Sequence, residues 1–342
     1  MIVLGLESSC DDSAAALVTG DRRIVAQAVV GQTSAHQPYG GVVPEIAARA
    51  HVEILPTLIV KVLGDAKMSI HDVDAVAATA GPGLIGGVMV ALLAGKGLAL
   101  AAGKPLIAVN HLEGHALSPR LADPDLDFPY LLLLVSGGHC QLLEVRGLGD
   151  YRRLATTIDD AAGEAFDKAA KLLGLPYPGG PALEELAKSG NPTAVPLPRP
   201  LVGSGEPHFS FAGLKSAVQR VVASGDFRRE DIAAGFQQAV VDCLMDRTRL
   251  ALEKSDVPTL VVAGGVAANQ AIRSALANLA QTNGRRFSVP PAWLCTDNAA
   301  MIAWAGAERL IAGLTDDLDA PARARWPLDE RAERVRGAGV KA

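Results

Sequence analysis

Disulfide chemistry has little to work with in this chain. The four cysteines, Cys10, Cys140, Cys243 and Cys295, never share Cys-x-x-Cys spacing. That excludes a stapled secreted scaffold and predicts free thiols in a reducing compartment. Aromatic residues make up only 4% of the chain, so the interior must be built from Ala, Val and Leu packed among 35 glycines. Such a mixture suits helices lying close on sheets. Lys and Arg together number 32 against 37 Asp and Glu, a net charge of −5 with no dense basic run. Global charge therefore does not announce a nucleic acid, and any RNA contact needs a local patch or a partner. The opening Met-Ile-Val-Leu-Gly-Leu-Glu lacks the basic start of a secretion signal, which predicts a cytoplasmic protein. Residues 75–95 carry no charge, but Thr79-Ala-Gly-Pro-Gly83, Gly86 and Gly87 interrupt the run. It reads as a buried strand, a glycine turn and a buried helix, not as a membrane span.

Histidine is scarce too, with seven in 342 residues, yet two of them stand four apart in Asn110-His-Leu-Glu-Gly-His115. On a helix this spacing puts the His111 and His115 rings on one face, close enough to share a metal ion. Two ligands do not make a site, so a third must come from elsewhere. The zinc-protease motif His-Glu-x-x-His places Glu directly after the first His. Glu113 instead follows His111 by two residues, about 200° around a helix, and Gly114 weakens a regular helix there. Protease chemistry fits poorly, while a metal site still fits.

The length suggests two lobes, and the chain contains two similar halves. Residues 2–7 form an apolar strand, then comes the polar turn Ser8–Ser13 and a second strand over Ala14–Thr19. Residues 130–135 repeat the pattern, with the turn Ser136-Gly-Gly-His139 and a second strand from Cys140 to Val145. A third glycine turn, Gly264-Gly-Val-Ala-Ala-Asn269, follows the apolar run 259–263 and precedes a helix carrying Arg273. A strand, a glycine turn and a helix N-terminus together can cradle phosphate. The expectation is an α/β protein with a duplicated actin-like or Hsp70-like ATPase fold, two lobes around a nucleotide cleft. Residues 1–128 make the N-terminal lobe, to which a helix at about 297–315 returns, and 129–296 the C-terminal lobe. The Pro-rich segment 190–208 reads as an inserted loop. Residues 316–342 read as a mostly extended, solvated tail, in which Trp326-Pro-Leu328 could dock.

Along roughly residues 2–328 the sequence resembles the tRNA N6-adenosine threonylcarbamoyltransferase family. The resemblance rests on Gly5-Leu-Glu-Ser-Ser-Cys-Asp-Asp12, Tyr39-Gly-Gly-Val-Val-Pro-Glu45, Ala80-Gly-Pro-Gly-Leu84 and the His111–His115 stretch. Further on it rests on Leu134-Val-Ser-Gly-Gly-His139, Asp159-Asp-Ala-Ala-Gly-Glu-Ala-Phe-Asp-Lys168, Tyr177-Pro-Gly-Gly-Pro181, Phe209-Ser-Phe-Ala-Gly-Leu-Lys215, Gly264–Asn269 and Thr296-Asp-Asn-Ala-Ala-Met301. It implies that His111, His115 and Asp297 hold one divalent metal, iron(II) first and zinc second. Read by itself, Asp297 caps the helix starting at Asn298. The resemblance also implies substrate contacts from Leu134, Val135, Ser136, Gly137, Gly138, Asp167, Gly180 and Asn269. Asp167 by itself would pair with Lys171 on the surface. Against the family pattern, Ser9, Asp12, Cys140 and Ala212 are departures, none of them in the metal triad or the glycine turns.

The implied reaction moves a threonylcarbamoyl group from threonylcarbamoyl-AMP to the N6 amine of an adenosine beside the anticodon of ANN-reading tRNAs, releasing AMP. A carboxylate of the first hairpin turn could take the amine proton. Asp11 is preferred over Asp12, and both also suit a turn as such. Implied partners are tRNA, a small paralogous subunit and an accessory ATPase, with no membrane. The subunit is expected on the N-terminal lobe, near the stripe Ala47, Ala50, Ile54, Leu58 and Val62, which also reads as ordinary core. Two rivals are a metalloprotease and a nucleotide-dependent scaffold. Peptide cleavage without tRNA would mark the first, and normal tRNA modification by a metal-site mutant the second.

Overall fold

The structure, a computed structural model, describes residues 1–39, 41–333 and 335. Gly40 of the Tyr39–Glu45 motif and the tail positions 334 and 336–342 lie outside the described residues. The chain divides into two compact units, Met1–Leu126 with Thr296–Glu330, and Asp127–Cys295 with Arg331–Ala342.

The first unit runs β1 (Ile2–Glu7), β2 (Asp12–Thr19), β3 (Ile24–Gly31), α1 (Thr33–His36), α2 (Pro44–Asp65), β4 (Ala75–Gly81), α3 (Ile85–Ala102), β5 (Leu106–Asn110) and α4 (His111–Ala122). The second runs β6 (Tyr130–Val135), β7 (Cys140–Gly147), β8 (Asp150–Thr156), α5 (Ala162–Leu172), α6 (Gly179–Ala187), α7 (Ala212–Ser224), α8 (Arg229–Glu253), β9 (Thr259–Ala263), α9 (Gln270–Thr282), β10 (Arg286–Ser288) and α10 (Ala292–Cys295). α11 (Ala299–Ile311) then rejoins the first unit.

Each unit holds a five-stranded mixed sheet, ordered β3-β2-β1-β4-β5 in the first and β10-β9-β6-β7-β8 in the second. β1 pairs antiparallel with β2 and parallel with β4, and β6 pairs antiparallel with β7 and parallel with β9. Read from β3 and from β8, the two sheets have the same order and the same strand directions. That is the duplicated α/β actin-like pattern the sequence led us to expect. β2 starts at Asp12, two residues earlier than the apolar pattern indicated, because Asp12 pairs with Gly31 of β3. The first hairpin turn is thus only Ser8–Asp11.

In the first unit, Leu4, Leu6, Leu17, Leu55, Val62, Val76 and Ala78 form the centre of a core between sheet and helices. Ala47, Leu58 and Val62 of the α2 stripe are buried, as ordinary core would be. The outward side of α2 instead shows Val52 and Val60, and α3 shows Ile85, Met89, Leu93 and Leu100. α3 is long and apolar enough to cross a membrane by length and composition. Its Val88, Ala91, Leu92 and Ala99 are nevertheless buried, and it lies on β4 and α2. In the second unit the 25-residue α8 runs through the core, burying Phe236, Val240 and Leu244 against Leu131, Leu133 and Phe166. The segment 190–208 contains no helix or strand.

Candidate functional site

Glu7 ends the apolar strand β1 with a fully buried carboxylate, which must find partners there. It accepts from the Ser9 backbone N–H (2.5 Å) and from Thr79 Oγ1 (2.6 Å), and His111 Nδ1 donates to its Oε2 (2.9 Å). Ser9 Oγ lies 3.1 Å from the same nitrogen. Asn110 starts α4, its side-chain oxygen capping the Leu112 N–H at 2.9 Å. The next residue is His111, and one turn on is His115, with ring centroids 4.8 Å apart. The helix stays regular through Gly114 because α11 crosses there. A side chain at 114 would meet Ile302 Cδ1 at 2.9 Å, so the glycine leaves room for that contact.

Asp297 comes from the far end of the chain. Its Oδ1 lies 3.0 Å from His115 Nε2 and 3.6 Å from His111 Nε2. One ligand atom from each of the three residues falls within a 4.8 Å cluster. The helix cap that the sequence assigned to Asp297 belongs to Asn298, whose side-chain oxygen accepts from Met301 N–H at 2.9 Å. Asp297 is therefore turned to the histidines. His115 Nδ1 is buried and has no hydrogen-bond partner among the described residues.

The electrostatics follow from burial and crowded charge. Burial works against a charged His111 ring, but Glu7 and Asp297 outweigh it and hold the pKa up at about 9. Burial pushes the Glu7 carboxyl upward, yet the facing His111 charge and its hydrogen bond bring it below the usual value. Asp12 is pushed up to about 7, first by burial and then by the charges of Asp297, Asp11 and Glu7. The donor set fits a divalent ion. Two imidazoles and a carboxylate converge, and the Glu7 bond fixes the His111 tautomer with Nε2 toward Asp297. Glu113, two residues after His111, is buried against Arg309 of α11 at 3.1 Å. This ion pair ties α4 to α11.

The second unit brings together most of the other expected residues. Leu134 and Val135 end β6, buried, and lead into the Ser136–His139 turn, where Ser136 N–H donates to the His139 carbonyl at 2.8 Å. Gly137 and Gly138 stand with open space around them. The N-terminus of α5 lies directly on this turn. A Cβ at Gly163 would meet the Ser136 carbonyl at 2.6 Å and Gly137 Cα at 2.8 Å, an approach only glycine permits. Asp167 Oδ1 accepts from the Gly179 N–H at the start of α6 (2.8 Å), and Gly180 beside it is unobstructed. Asn269 caps α9 through Ile272 N–H (3.0 Å) and donates to Gln237 at 2.9 Å, so both its polar ends serve the fold. Arg273 braces two loops through the carbonyls of Ala267 and Pro290.

The sequence reading passed over Glu7, Thr79 and Gly163. A carboxylate closing an apolar strand was the available signal for Glu7. Nothing local marks Gly163, because its neighbour is a turn 26 residues earlier.

Among solved structures, the chain is similar to component A of the (R)-2-hydroxyglutaryl-CoA dehydratase of Acidaminococcus fermentans. The TM-score is 0.56 at 19% identity, covering 91% of this chain and 99% of that one. T. kodakarensis HypF gives a TM-score of 0.60 at 16% identity, over 92% of this chain and 48% of that one. These likenesses concern the fold. At the level of sequence, a Sphingopyxis alaskensis protein called tRNA N6-adenosine threonylcarbamoyltransferase is 73% identical over 100% of this chain and 99% of its own length. A Zymomonas mobilis protein of the same name is 63% identical over 100% and 95%. The family model described as tRNA N6-adenosine threonylcarbamoyltransferase matches residues 23–304, and with these relatives it shows that the chain belongs to that family.

Proposed function

We propose that this chain transfers the threonylcarbamoyl group of threonylcarbamoyl-AMP to the N6 amine of the adenosine beside the anticodon in ANN-reading tRNAs. The N6–carbon bond forms, the bond from that carbon to the phosphate oxygen breaks, and AMP leaves with the electron pair. The carrying observation is 73% identity along the whole length to a relative of that name.

His111, His115 and Asp297 would hold one divalent ion. Two His and one carboxylate suit either iron(II) or zinc, and the family resemblance puts iron(II) first. When bound, the ion would supply a Lewis acid able to polarise an acyl oxygen. Glu7 keeps the proton on His111 Nδ1, so that Nε2 offers its lone pair. In the second unit Ser136, Gly137 and Gly138, following Leu134 and Val135, receive the adenylate phosphate at the N-terminus of α5. Asp167, oriented by the Gly179 N–H, accepts from a ribose hydroxyl. Gly180 permits close backbone approach, and Asn269 holds the start of α9 in place. The amine proton goes to the Asp11–Asp12 pair. Asp11 lies in the turn itself, and Asp12, with its pKa at about 7, is suited to act as a base at neutral pH.

The partners are tRNA, a small paralogous subunit and an accessory ATPase. The exposed Val52 and Val60 of α2 with Ile85, Met89, Leu93 and Leu100 of α3 support a docking face for the subunit on the first unit. The four free cysteines fit a cytoplasmic location.

The test is reconstitution: purified chain, threonylcarbamoyl-AMP, unmodified tRNA and the partner proteins. Modified adenosine should appear with one AMP per transfer, and the His111→Ala variant should lose it. Peptide cleavage without tRNA modification would reject the proposal.

A further inference from the structure

The segment after α11 stays on the first unit as a strap. Asp316 N–H donates to the Leu106 carbonyl (2.9 Å) on the edge strand β5, and its carboxylate accepts from the Ala108 N–H (2.9 Å). Lys96 of α3 donates to the Ala320 carbonyl at 2.7 Å. Ala320, Ala322 and Trp326 pack on Ala80, Leu92 and Ala108, and the Arg323 guanidinium lies 4.7 Å over the Trp326 ring.

The strap then reaches two points beside the metal-binding candidates. Arg323 N–H donates to the Ala80 carbonyl (2.8 Å), and Gly83 N–H donates to the Ala324 carbonyl (3.3 Å). The contact is backbone on backbone, since a Cβ at Gly81 would fall 1.9 Å from the Arg323 carbonyl. The next residue of that turn, Leu84, donates to the Ser9 carbonyl at 2.8 Å, and Ser9 Oγ meets His111. At its end, the Trp326 carbonyl accepts from Asn110 Nδ2 at 2.9 Å. This buried amide, 4% exposed, caps α4 with its other end. One side chain thus joins the strap to the first turn of the helix that begins with His111.

We propose that the strap 316–326 is a positioning element of the His111–His115–Asp297 centre, acting through Asn110 and the 81–84 turn, with Trp326 as its anchor. The inference rests on reading that centre as a metal site. Metal affinity depends on ligands being held to within a few tenths of an ångström. A cap clamped at both ends restricts where the first residue of a helix can go.

The test uses the full chain and zinc as probe, with dissociation constants from competition against a chelator and thermal midpoints recorded in parallel. Trp326→Ala removes the anchor. Asn110→Ser keeps a capping oxygen but cannot reach the Trp326 carbonyl. Each should weaken zinc binding on the order of tenfold, the loss typical of an outer-shell contact. The double variant should lose little more than the worse single one, because both cut the same link. Val62→Ala, a core truncation away from the strap, should lower the midpoint and leave zinc affinity alone. An unchanged zinc constant in Asn110→Ser and Trp326→Ala, whatever their midpoints, overturns the inference. If Trp326→Ala does not fold, Arg323→Ala takes its place. Wild-type binding no tighter than that of His111→Ala overturns the metal reading, and the inference with it.

Discussion

At the scale of single residues, the first unit's chemistry turns on carboxylates drawn wholly or partly out of water. Glu7 is the clearest case. Glu7→Gln keeps the shape but removes the charge facing His111. Zinc or iron(II) affinity should fall about tenfold with little change in fold, as measured by chelator competition. Asp12 is the opposite case, its folded pKa raised to about 7, well above that of a free aspartate side chain. A raised carboxyl pKa contributes stability that is complete below the unfolded value and is lost as pH rises through the folded one. In the metal-free chain Asp12→Asn should therefore raise the thermal midpoint more at pH 8 than at pH 5. Equal gains at both pH values would contradict this. The residue scale is also where the sequence was most and least readable. His111 and His115 announced themselves by spacing alone. Asp297, 182 residues from His115, carried no local mark of its role and was supplied only by resemblance. Glu7 lies 104 residues from His111, and a partner at that distance has no spacing to betray it.

At the scale of elements, both hairpins were legible because an apolar run, a polar turn and a second apolar run have one economical folding. Contacts between elements were not. Gly114 reads as a weak point in a helix until α11 is known to cross it, and Gly163 reads as an ordinary helix start until the Ser136–Gly138 turn lies on it. Gly163→Ala tests the second contact. The new methyl cannot fit 2.6 Å from the Ser136 carbonyl, so the turn must shift at a cost of about 1–3 kcal/mol. Calorimetry should show clearly weaker AMP binding to this variant, with the secondary structure intact. Unchanged AMP affinity would remove this turn from the phosphate-binding role. The strap was unreadable for another reason. Its Ala, Asp and Arg residues show no periodicity, and its hold comes mainly from main-chain carbonyls, which every sequence possesses. It also occupies β5, an edge strand otherwise open to pairing with another chain.

At the scale of the whole molecule, the duplicated sheet order was foreseeable from the repeated hairpins, whereas the outward faces were not. Ala47, Leu58 and Val62 of the α2 stripe proved to be core, and Ile85, Met89, Leu93 and Leu100 make an exposed apolar row on α3. Leu93→Asp with Leu100→Asp should leave the midpoint of the isolated chain nearly unchanged, because both side chains are exposed. The same double variant should weaken binding of the small subunit about 30-fold or more if the pair is central to the contact, and should abolish stimulation of tRNA modification. Full turnover by the isolated chain would remove the need for the subunit. The return of α11 to the first unit bears on how the protein is made. The second unit is nearly complete once residue 295 has been synthesised, but the first is still missing Asp297, the helix that packs on β1 and the strap. A nascent chain has both histidines long before the third candidate ligand, because Asp297 follows His115 by 182 residues. A product truncated between residues 115 and 297 carries both histidines without the carboxylate, so ion capture by the candidate centre would report that synthesis has passed Asp297.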